Sequence, residues 1–261
     1  MDKPRYFVRS LAKGLAVLEA FSAAEGSLTL SEVADAIKVN DTTATRLCYT
    51  LTELGFLHRD ETKRYAPTPK VLRLGHSAVS RLGWYGIGHY YLESLFAKIQ
   101  ETVNLSVLQD AEVLYVITIR AGQYLPFHIQ VGTRLPVHCT AMGKVLVATA
   151  PFSEMKSTLG RLDFKPLTSH TITSLDRYMA ELDEVRSKGY AINDEELSFG
   201  NRAVAAAVTD KNGYPVAAVC IGAPTGHYSR AEMESILAPK IVRTAQDISE
   251  ALIQAGASVT V

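Results

Sequence analysis

Residues 28–57 contain two short helical patterns with a very short gap between them, and this stretch constrains the fold of the chain most. Thr29 followed three residues later by Glu32 fits a capping box, which predicts the start of the first helix. Asn40 can cap the second helix in the same way. Two short helices with almost no residues between them predict a helix-turn-helix.

The second helix of this pair has two unlike faces. On a helical wheel, the core side holds Ala44, Leu47, Leu51 and Leu54. The opposite side holds Thr42, Thr45, Arg46, Tyr49 and Glu53. An ordinary solvent face is rich in Lys, Glu and Gln, whereas short threonine side chains with an Arg and a Tyr can approach base edges and phosphates in a major groove. This face is therefore either a poor surface helix or a surface that reads DNA.

The flanking residues complete a winged helix-turn-helix. Ser10 is predicted to cap a preceding helix that has a regular apolar stripe. Gly55 is predicted to end the second helix of the pair, and two short strand-like runs follow around the polar turn "RDETKR". The hairpin carries the basic side chains His58, Arg59, Lys63 and Arg64. They could lie along a phosphate backbone, or they could simply form a solvated hairpin tip.

Composition and charge set broad limits on the class of protein. The 261 residues are 47% apolar and 21% charged, as in an ordinary globular protein. Net charge is zero, but residues 1–74 hold 11 Lys and Arg against 9 Asp and Glu, and the remainder holds 16 against 18. This small asymmetry has the sign expected if the first part meets nucleic acid. Because no signal-peptide core and no apolar run near ~20 residues occur, we expect a cytoplasmic protein without a membrane span.

The remaining chain reads as a second, α+β domain. Helical patterns cover residues 88–103, 140–150, 174–190 and 229–254, the last with Pro239 inside it and a kink expected there. Strand patterns cover residues 104–110, 112–120 and 125–131, and two apolar runs meet at Asn212-Gly213, a strong hairpin signal. Hairpinned strands with helices beside them predict an α+β fold.

Candidate catalytic and metal-binding residues are few. Cys48, Cys139 and Cys220 lie far apart, which predicts reduced thiols rather than disulfides or a zinc knuckle. His138 and Cys139 are adjacent and would point to opposite sides of an extended chain, and with His128 they match no familiar zinc spacing. The acidic run at residues 194–196 has no partner base or oxyanion loop. We therefore expect no catalytic site, no metal and no cofactor.

Five stretches of the chain resemble the isocitrate lyase regulator (IclR) family of transcriptional regulators. They are "RSLAKGLAVLEAF", "LTLSEVADAIKVNDTTATRLCYTLTELGFL", "YAPTPKVLRLG", "VGTRLPVHCTAMGKVLVA" and "GYAINDEELSFGNRAVAAAVTDKNGYPVAAVCIGAP". The first and third look most like the subgroup that controls protocatechuate and 4-hydroxybenzoate catabolism. The resemblance implies a winged helix-turn-helix with a linker helix in residues 1–78. It implies a GAF-like effector-binding and oligomerisation domain in residues 79–261.

The same resemblance places the site residues. Predicted DNA contacts are Thr42, Thr43, Thr45, Arg46, Tyr49, Arg59, Lys63 and Arg64. The effector site carried over from the family comprises Cys139, Thr140, Ala141, Met142, Asn193, Asp194, Ala203, Cys220 and Gly222. The chain departs from the family pattern at Asp41, Thr42 and Thr45, so the operator sequence is not transferable. Small side chains at 203, 220 and 222 predict room for a larger, flatter ligand than a two- or three-carbon acid.

The function predicted from these observations is effector-responsive regulation of transcription. The expected partners are double-stranded operator DNA, a small organic acid, here an aromatic acid or a close relative, and further copies of the chain in a dimer or tetramer. Two alternatives remain open. One is a small-molecule-binding protein whose winged helix contacts another protein, and the other is a thiol-dependent enzyme.

Overall fold

The computed structural model describes residues 6–22, 24, 26–79, 84–122 and 129–256 of the chain. The chain divides into two compact units, Met1–Arg81 and Leu82–Val261. The elements of the first unit are α1 (Arg9–Ala20), α2 (Leu30–Ala36), α3 (Asp41–Glu53), β1 (Leu57–Arg59), β2 (Tyr65–Pro67), a 3-10 turn (Pro69–Val71) and α4 (Leu72–Val79). This order confirms the predicted helix-turn-helix followed by a hairpin.

The caps of the paired helices confirm two predictions and correct a third. The Thr29 backbone N–H donates to the Glu32 carboxylate at 2.7 Å, and the Glu32 N–H donates back to the Thr29 hydroxyl at 3.3 Å. Asn40 accepts from the Thr43 N–H at 2.9 Å, which fixes the start of α3. The prediction for Ser10 was wrong, because α1 begins two residues earlier than a Ser10 cap requires, at Arg9 after an extended Val8, and Ser10 lies inside the first turn.

The core stripe of α3 is confirmed except at its last member. Ala44 and Leu51 are buried with Cys48, and Leu47 is half-buried. Leu54 was predicted to lie in the core but is 52% exposed. The helix ends at Glu53, and the cap residue Leu54 keeps helical backbone geometry but is not covered by the elements that bury the rest of the stripe.

The wing is an antiparallel pair in which Leu57 lies opposite Pro67 and Arg59 lies opposite Tyr65. Gly55 ends α3 with φ +72°, the left-handed conformation that a glycine adopts without steric cost. Both the helix stop and the hairpin were predicted from the sequence, and both are confirmed.

The second unit is built on an antiparallel sheet. Its helices are α5 (Tyr85–Ile99), α6 (Ala141–Thr149), α7 (Phe152–Leu159), α8 (Leu175–Lys188), α9 (Arg230–Glu232) and α10 (Ala238–Gln254). Its strands are β3 (Thr102–Gln109), β4 (Glu112–Ile119), β5 (Arg134–Pro136), β6 (Ala191–Asp194), β7 (Asn201–Thr209) and β8 (Pro215–Pro224). Among the described residues these six strands pair in the order β5-β4-β3-β8-β7-β6. Most of the predicted strand at 125–131 lies outside the described residues, and α7 and β5 were not predicted.

Helices cover both faces of this sheet. Helices α5 and α10 pack on one face over a large apolar cluster that includes Leu105, Val219 and Ile248. Helices α6 and α8 pack on the other face over a second cluster that includes Val145, Leu182 and Ala218. Because the sheet is covered twice, polar side chains on either face can be removed from water. The arrangement confirms the predicted α+β class.

Pro239 is accommodated by a change of helix type. Residues Met233–Leu237 form a π-helical turn, and Pro239 lies in the first turn of α10, where the missing N–H needs no intrahelical acceptor. The helical segment therefore continues to Gln254 through a π-turn.

Within the described residues, no helix combines the length and the apolar character needed to cross a bilayer.

Candidate functional site

The outward face of α3 is exposed as predicted. Thr42, Thr45, Arg46 and Tyr49 are all exposed, and Thr43 is half-buried beside the Asn40 cap. The Thr45 hydroxyl donates to the Asp41 carbonyl at 2.8 Å. Its lone pairs and methyl group stay available for a partner, which suits contact with a base amino group or a thymine methyl.

The basic residues of the wing differ in what they contact. Lys63 is exposed at the tip, and its side chain has no ion-pair partner within the described part of the chain. The guanidinium of Arg59 lies over the Tyr65 ring, 5.5 Å from its centre. Arg64 instead donates to the Ser27 hydroxyl at 3.0 Å and to the Ser27 carbonyl at 2.6 Å.

The remaining Arg64 contact ties the wing to α2. Its guanidinium lies 3.1 Å from the Glu32 carboxylate, the same group that closes the capping box with Thr29. The Thr29 backbone and hydroxyl donors, with Arg64, hold the pKa of Glu32 below its usual value. Arg64 therefore has a structural role that the sequence did not indicate, whereas Lys63 and Arg59 remain exposed on the wing.

A small cavity lies between the N-terminus of α6 and the sheet. Its volume is about 30 Å³. The lining residues are Thr102, Asn104, Tyr115, Ile129, Thr140, Ala141, Met142, Asn193, Leu197, Asn201, Ala203, Cys220 and Gly222. A helix leaves its first N–H groups without intrahelical acceptors, so those of Ala141 and Met142 are available to an anion.

Strand register explains why these residues meet. Asn193, Ala203, Gly222 and Thr102 lie opposite one another across β6, β7, β8 and β3. In the same way Cys220 pairs with Asn104 of β3 two residues along from Gly222. Because side chains two apart on a strand share a face, all of these face α6. The small residues Ala203 and Gly222 lie in the centre of this face and form the floor of the cavity, and longer polar side chains surround them.

Two glycines have opposite roles around this cavity. A Cβ on Gly143 would come within 2.3 Å of the Val137 Cα atom, so α6 packs against the preceding turn as closely as the backbone allows. A Cβ on Gly222 would meet nothing within 4 Å. Gly143 is therefore needed for packing, whereas the space above Gly222 belongs to the cavity.

Seven of the nine predicted effector residues line the cavity, and two do not. Cys139 precedes the cap of α6, and its thiol lies 3.6 Å from the Pro136 carbonyl. Asp194 is next to Asn193 on β6, so its side chain points to the other face, where it binds Arg202 at 2.6 Å. The cavity is also smaller than the sequence predicted.

The sequence missed several polar lining residues on two strands. Thr102 and Asn104 alternate along β3 with apolar Val103 and Leu105. Such alternation predicts a strand whose polar face is exposed to solvent. All are buried, because α6 covers the polar face as well. Asn201, at the start of β7, was missed for the same reason. The alternation of Thr102, Asn104 and Ser106 was the available signal.

A buried ion cluster lies directly under α6. Lys144 is 1% exposed and donates to Glu196 at 2.5 Å, to Glu181 at 2.9 Å and to the Ile192 carbonyl at 3.0 Å. Burial raises the pKa of Glu196, although Lys144 opposes this. The Glu196 N–H donates to the side chain of Asn193 at 2.8 Å, so the cluster also holds one wall of the cavity.

The thiols and the histidine of the second unit lack the features of a reactive site. Burial raises the pKa of Cys139 to about 12 and that of Cys220 to about 11, so both stay protonated near neutral pH. The His138 ring approaches the Lys165 carbonyl at 3.2 Å rather than Cys139. No group of three or more potential metal ligands occurs in the described ranges, and His128 lies outside them.

A winged helix-turn-helix joined to a sheet domain with a small polar cavity defines a ligand-responsive DNA-binding regulator. Residues 10–61 match the IclR helix-turn-helix model, and residues 76–250 match the model of the C-terminal part of bacterial IclR regulators. The chain belongs to the IclR family, as predicted. It is a transcriptional regulator with a DNA-binding domain and an effector-binding domain, not an enzyme.

Relatives with curated names agree with this assignment. The chain is 30% identical to the Pca regulon regulatory protein of Pseudomonas putida, over 94% of this chain and 84% of that protein. It is 30% identical to the p-hydroxybenzoate hydroxylase transcriptional activator of Acinetobacter baylyi, over 93% of this chain and 91% of that protein. The regulator KdgR of Dickeya chrysanthemi is also 30% identical, over 88% of this chain and 75% of that protein.

Solved structures match the fold over nearly the whole chain. A transcriptional regulator from Rhodococcus sp. RHA1 is 38% identical with a TM-score of 0.81, covering 94% of this chain and 98% of that one. An IclR homologue from Microbacterium hydrocarbonoxydans, solved in complex with 4-hydroxybenzoate, is 20% identical with a TM-score of 0.79, covering 93% of this chain and 98% of that one. At that identity the second match concerns the fold alone.

Proposed function

We propose that this regulator changes its affinity for operator DNA when a small aromatic carboxylate binds in the cavity under α6. The observation that carries the proposal is the position of the α6 N-terminus above a floor of small side chains, with free N–H groups at Ala141 and Met142. A carboxylate is the natural partner of such a helix end. The names of the Pseudomonas and Acinetobacter relatives, and the ligand of the Microbacterium homologue, support an aromatic acid.

The small size of the cavity supports a ligand that alters the protein. An aromatic ring needs a cavity of about 150 Å³, and this one has about 30 Å³. Binding therefore requires lining side chains to move, and Met142 is the most adaptable of them. A ligand that binds one conformation of the protein better than another shifts the population toward that conformation. By linkage, the ligand changes the affinity for operator DNA by the same factor as operator DNA changes the affinity for the ligand.

We further propose that residues 1–78 contact DNA and residues 79–261 sense the effector and oligomerise. Base contacts would come from Thr42, Thr45, Arg46 and Tyr49 on the exposed face of α3. Backbone contacts would come from Lys63 and Arg59 of the wing. A single short helix buries too little surface for tight specific binding, so two copies on a two-fold operator are expected.

The test combines a ligand screen with operator binding. Duplexes are first selected from a random library by the protein itself, and their affinity is measured at several salt concentrations. Affinity that falls steeply with salt is expected for phosphate contacts, whereas a winged helix that binds protein would give no specific duplex. Benzoates and small aliphatic acids are then added, and an aromatic acid is expected to change operator affinity.

A cavity-filling pair locates the binding site of any ligand found. Gly222→Leu places a side chain in the open space above the floor, and Gly222→Ala places a smaller one there. We expect the response to the ligand to be reduced in the alanine variant and lost in the leucine variant. Equal ligand affinity in both variants and the wild type would show that the ligand binds outside this cavity.

A further inference from the structure

Two asparagine side chains in the cavity have buried acceptors without a partner. Asn104 is 2% exposed and Asn201 is 6% exposed, and the Oδ1 atom of each has no hydrogen-bond donor among the described residues. Both residues line the cavity below the α6 N-terminus. Buried amide oxygens are normally paired, because an unpaired one loses its hydrogen bond to water without replacement.

The neighbouring polar side chains make hydrogen bonds elsewhere, and among the described residues none of them donates to either oxygen. The Thr140 hydroxyl donates to the Pro136 carbonyl at 2.9 Å. The Asn193 side chain accepts from the Glu196 N–H at 2.8 Å. The amide nitrogen of Asn104 lies 3.5 Å from the Cys220 sulfur, which directs the amide oxygen away from that strand.

The two asparagines lie on strands on opposite sides of β8. Asn104 is on β3, opposite Cys220, and Asn201 is on β7, opposite Pro224. Gly222 lies between Cys220 and Pro224 on β8, and the space above it is open. A molecule over Gly222 would therefore lie between the two asparagines and below the N-terminus of α6.

We infer that the effector carries at least one hydroxyl group besides its carboxylate, and that Asn104 and Asn201 select for it. This inference rests on the proposed function, which places the carboxylate at Ala141 and Met142. A carboxylate is acceptor-only when ionised, so it can bind the helix N–H groups but cannot pair with an amide oxygen. A hydroxyl donates to that oxygen. An acid without one leaves both acceptors buried and unpaired.

Specificity for a hydroxyl group follows because a ligand without one leaves the asparagine oxygens unpaired in the complex. A site that is built to hydrogen-bond a hydroxyl discriminates strongly against the analogue that lacks it, because its own polar group stays unpaired. A methyl ether is discriminated against for the same reason, since it keeps the oxygen but loses the donor. The two asparagines are thus specificity-determining residues for the effector.

The first experiment compares ligands on the wild-type protein by calorimetry. The probes are benzoate, the three monohydroxybenzoates and the matching methoxybenzoates. We expect the best hydroxybenzoate to bind about tenfold or more tightly than both benzoate and its own methyl ether. Equal binding of benzoate and all hydroxybenzoates overturns the inference and leaves the aromatic-acid proposal standing. If no benzoate binds, the aromatic-acid proposal fails, and the inference fails with it.

The second experiment assigns the hydroxyl preference to residues. Asn104→Leu and Asn201→Leu have similar size and no acceptor, and Asn212→Leu in an exposed turn is the matched control. We expect the preference for hydroxybenzoate over benzoate to fall about tenfold in one of the first two variants and to stay unchanged in the control. An unchanged preference in both cavity variants overturns the inference. If a variant does not fold, the calorimetric comparison of ligands on the wild-type protein still tests whether the effector needs a hydroxyl group.

Discussion

The exposed face of α3 and the cavity under α6 are both candidate binding surfaces, but they are built in opposite ways. The side chains of the α3 face point away from a small core, and each is held mainly by its own helix. The cavity side chains point into the protein, and each belongs to a different strand or helix. A change on α3 should therefore alter binding alone. A change around the cavity should alter stability and binding together.

The largest expected effect tests the cavity side of this comparison. Lys144→Met leaves the buried Glu196 and the half-buried Glu181 without their cation, which should cost about 3–5 kcal/mol of unfolding free energy. Lys156→Met, at an exposed position, is the control and should change little. Urea unfolding measures both. A loss for Lys144→Met no greater than that of the control would mean that the cluster does not stabilise the unit.

The pH dependence of that variant has a defined sign. The pKa of Glu196 is raised in the folded protein by burial, and removing Lys144 removes a group that lowers it. A carboxyl whose pKa is raised in the folded protein binds a proton more readily there than in the unfolded chain. The ionised carboxylate therefore destabilises the folded protein above that pKa, and this destabilisation is lost as the pH falls through the pKa. The loss of stability in Lys144→Met should therefore be larger at about pH 8 than at about pH 5.5.

The next effect compares two glycines at the same cavity. Gly143→Ala forces a Cβ against the Val137 backbone and should lose about 1–3 kcal/mol, despite a better helix propensity. Gly222→Ala enters open space and should stay within about 1 kcal/mol of the wild type. Thermal unfolding of the pair is the measurement. Equal losses would contradict the assignment of the open space to the cavity.

The third prediction tests the α3 side. Arg46→Ala, Tyr49→Ala and Thr42→Ala should each weaken binding to a selected operator by about 1–3 kcal/mol, the usual contribution of one interaction with a base edge. Their unfolding free energies should change by less than about 0.5 kcal/mol, because these side chains are exposed. Glu19→Ala, exposed on α1, is the control. Gel-shift affinities unchanged in all three variants would sink the assignment of this face to DNA.

The smallest effects separate two neighbours in the wing. Lys63→Ala should weaken binding to every duplex about equally and reduce the salt slope by about 1, since phosphate contacts carry no base information. Arg64→Ala should instead lower the stability of the first unit by up to about 1 kcal/mol, because it removes a partly exposed clamp on Ser27 and Glu32. The reverse result would show that Arg64 faces DNA.

How well the sequence predicted each site follows from how each is built. The outward positions of α3 follow from helical periodicity, which is local, so Arg46 and Tyr49 were placed correctly at the surface. The wheel failed at Leu54 because it gives the direction of a side chain but not whether another element covers it. Arg64 could not be separated from Lys63, because its partner Ser27 is distant in sequence and becomes a neighbour only in the folded unit.

The cavity depends on long-range contacts, and fewer of its residues could be predicted. Family resemblance located the α6 N-terminus and the small residues of β7 and β8. Asn104 was missed because a polar residue on an alternating strand indicates solvent unless a second layer is known to cover it. Asp194 was included, although the period of two in β6 places it on the opposite face from Asn193.

The small residues of the cavity floor have a consequence for how such a regulator can acquire a new ligand. Ala203 and Gly222 lie opposite each other in neighbouring strands, whose pairing uses backbone atoms and does not depend on the side chain. Adding one methyl group to Gly222 narrows the cavity without contacting the neighbouring strands or α6. The shape of the cavity can therefore change in single-carbon steps while the fold is retained at every intermediate.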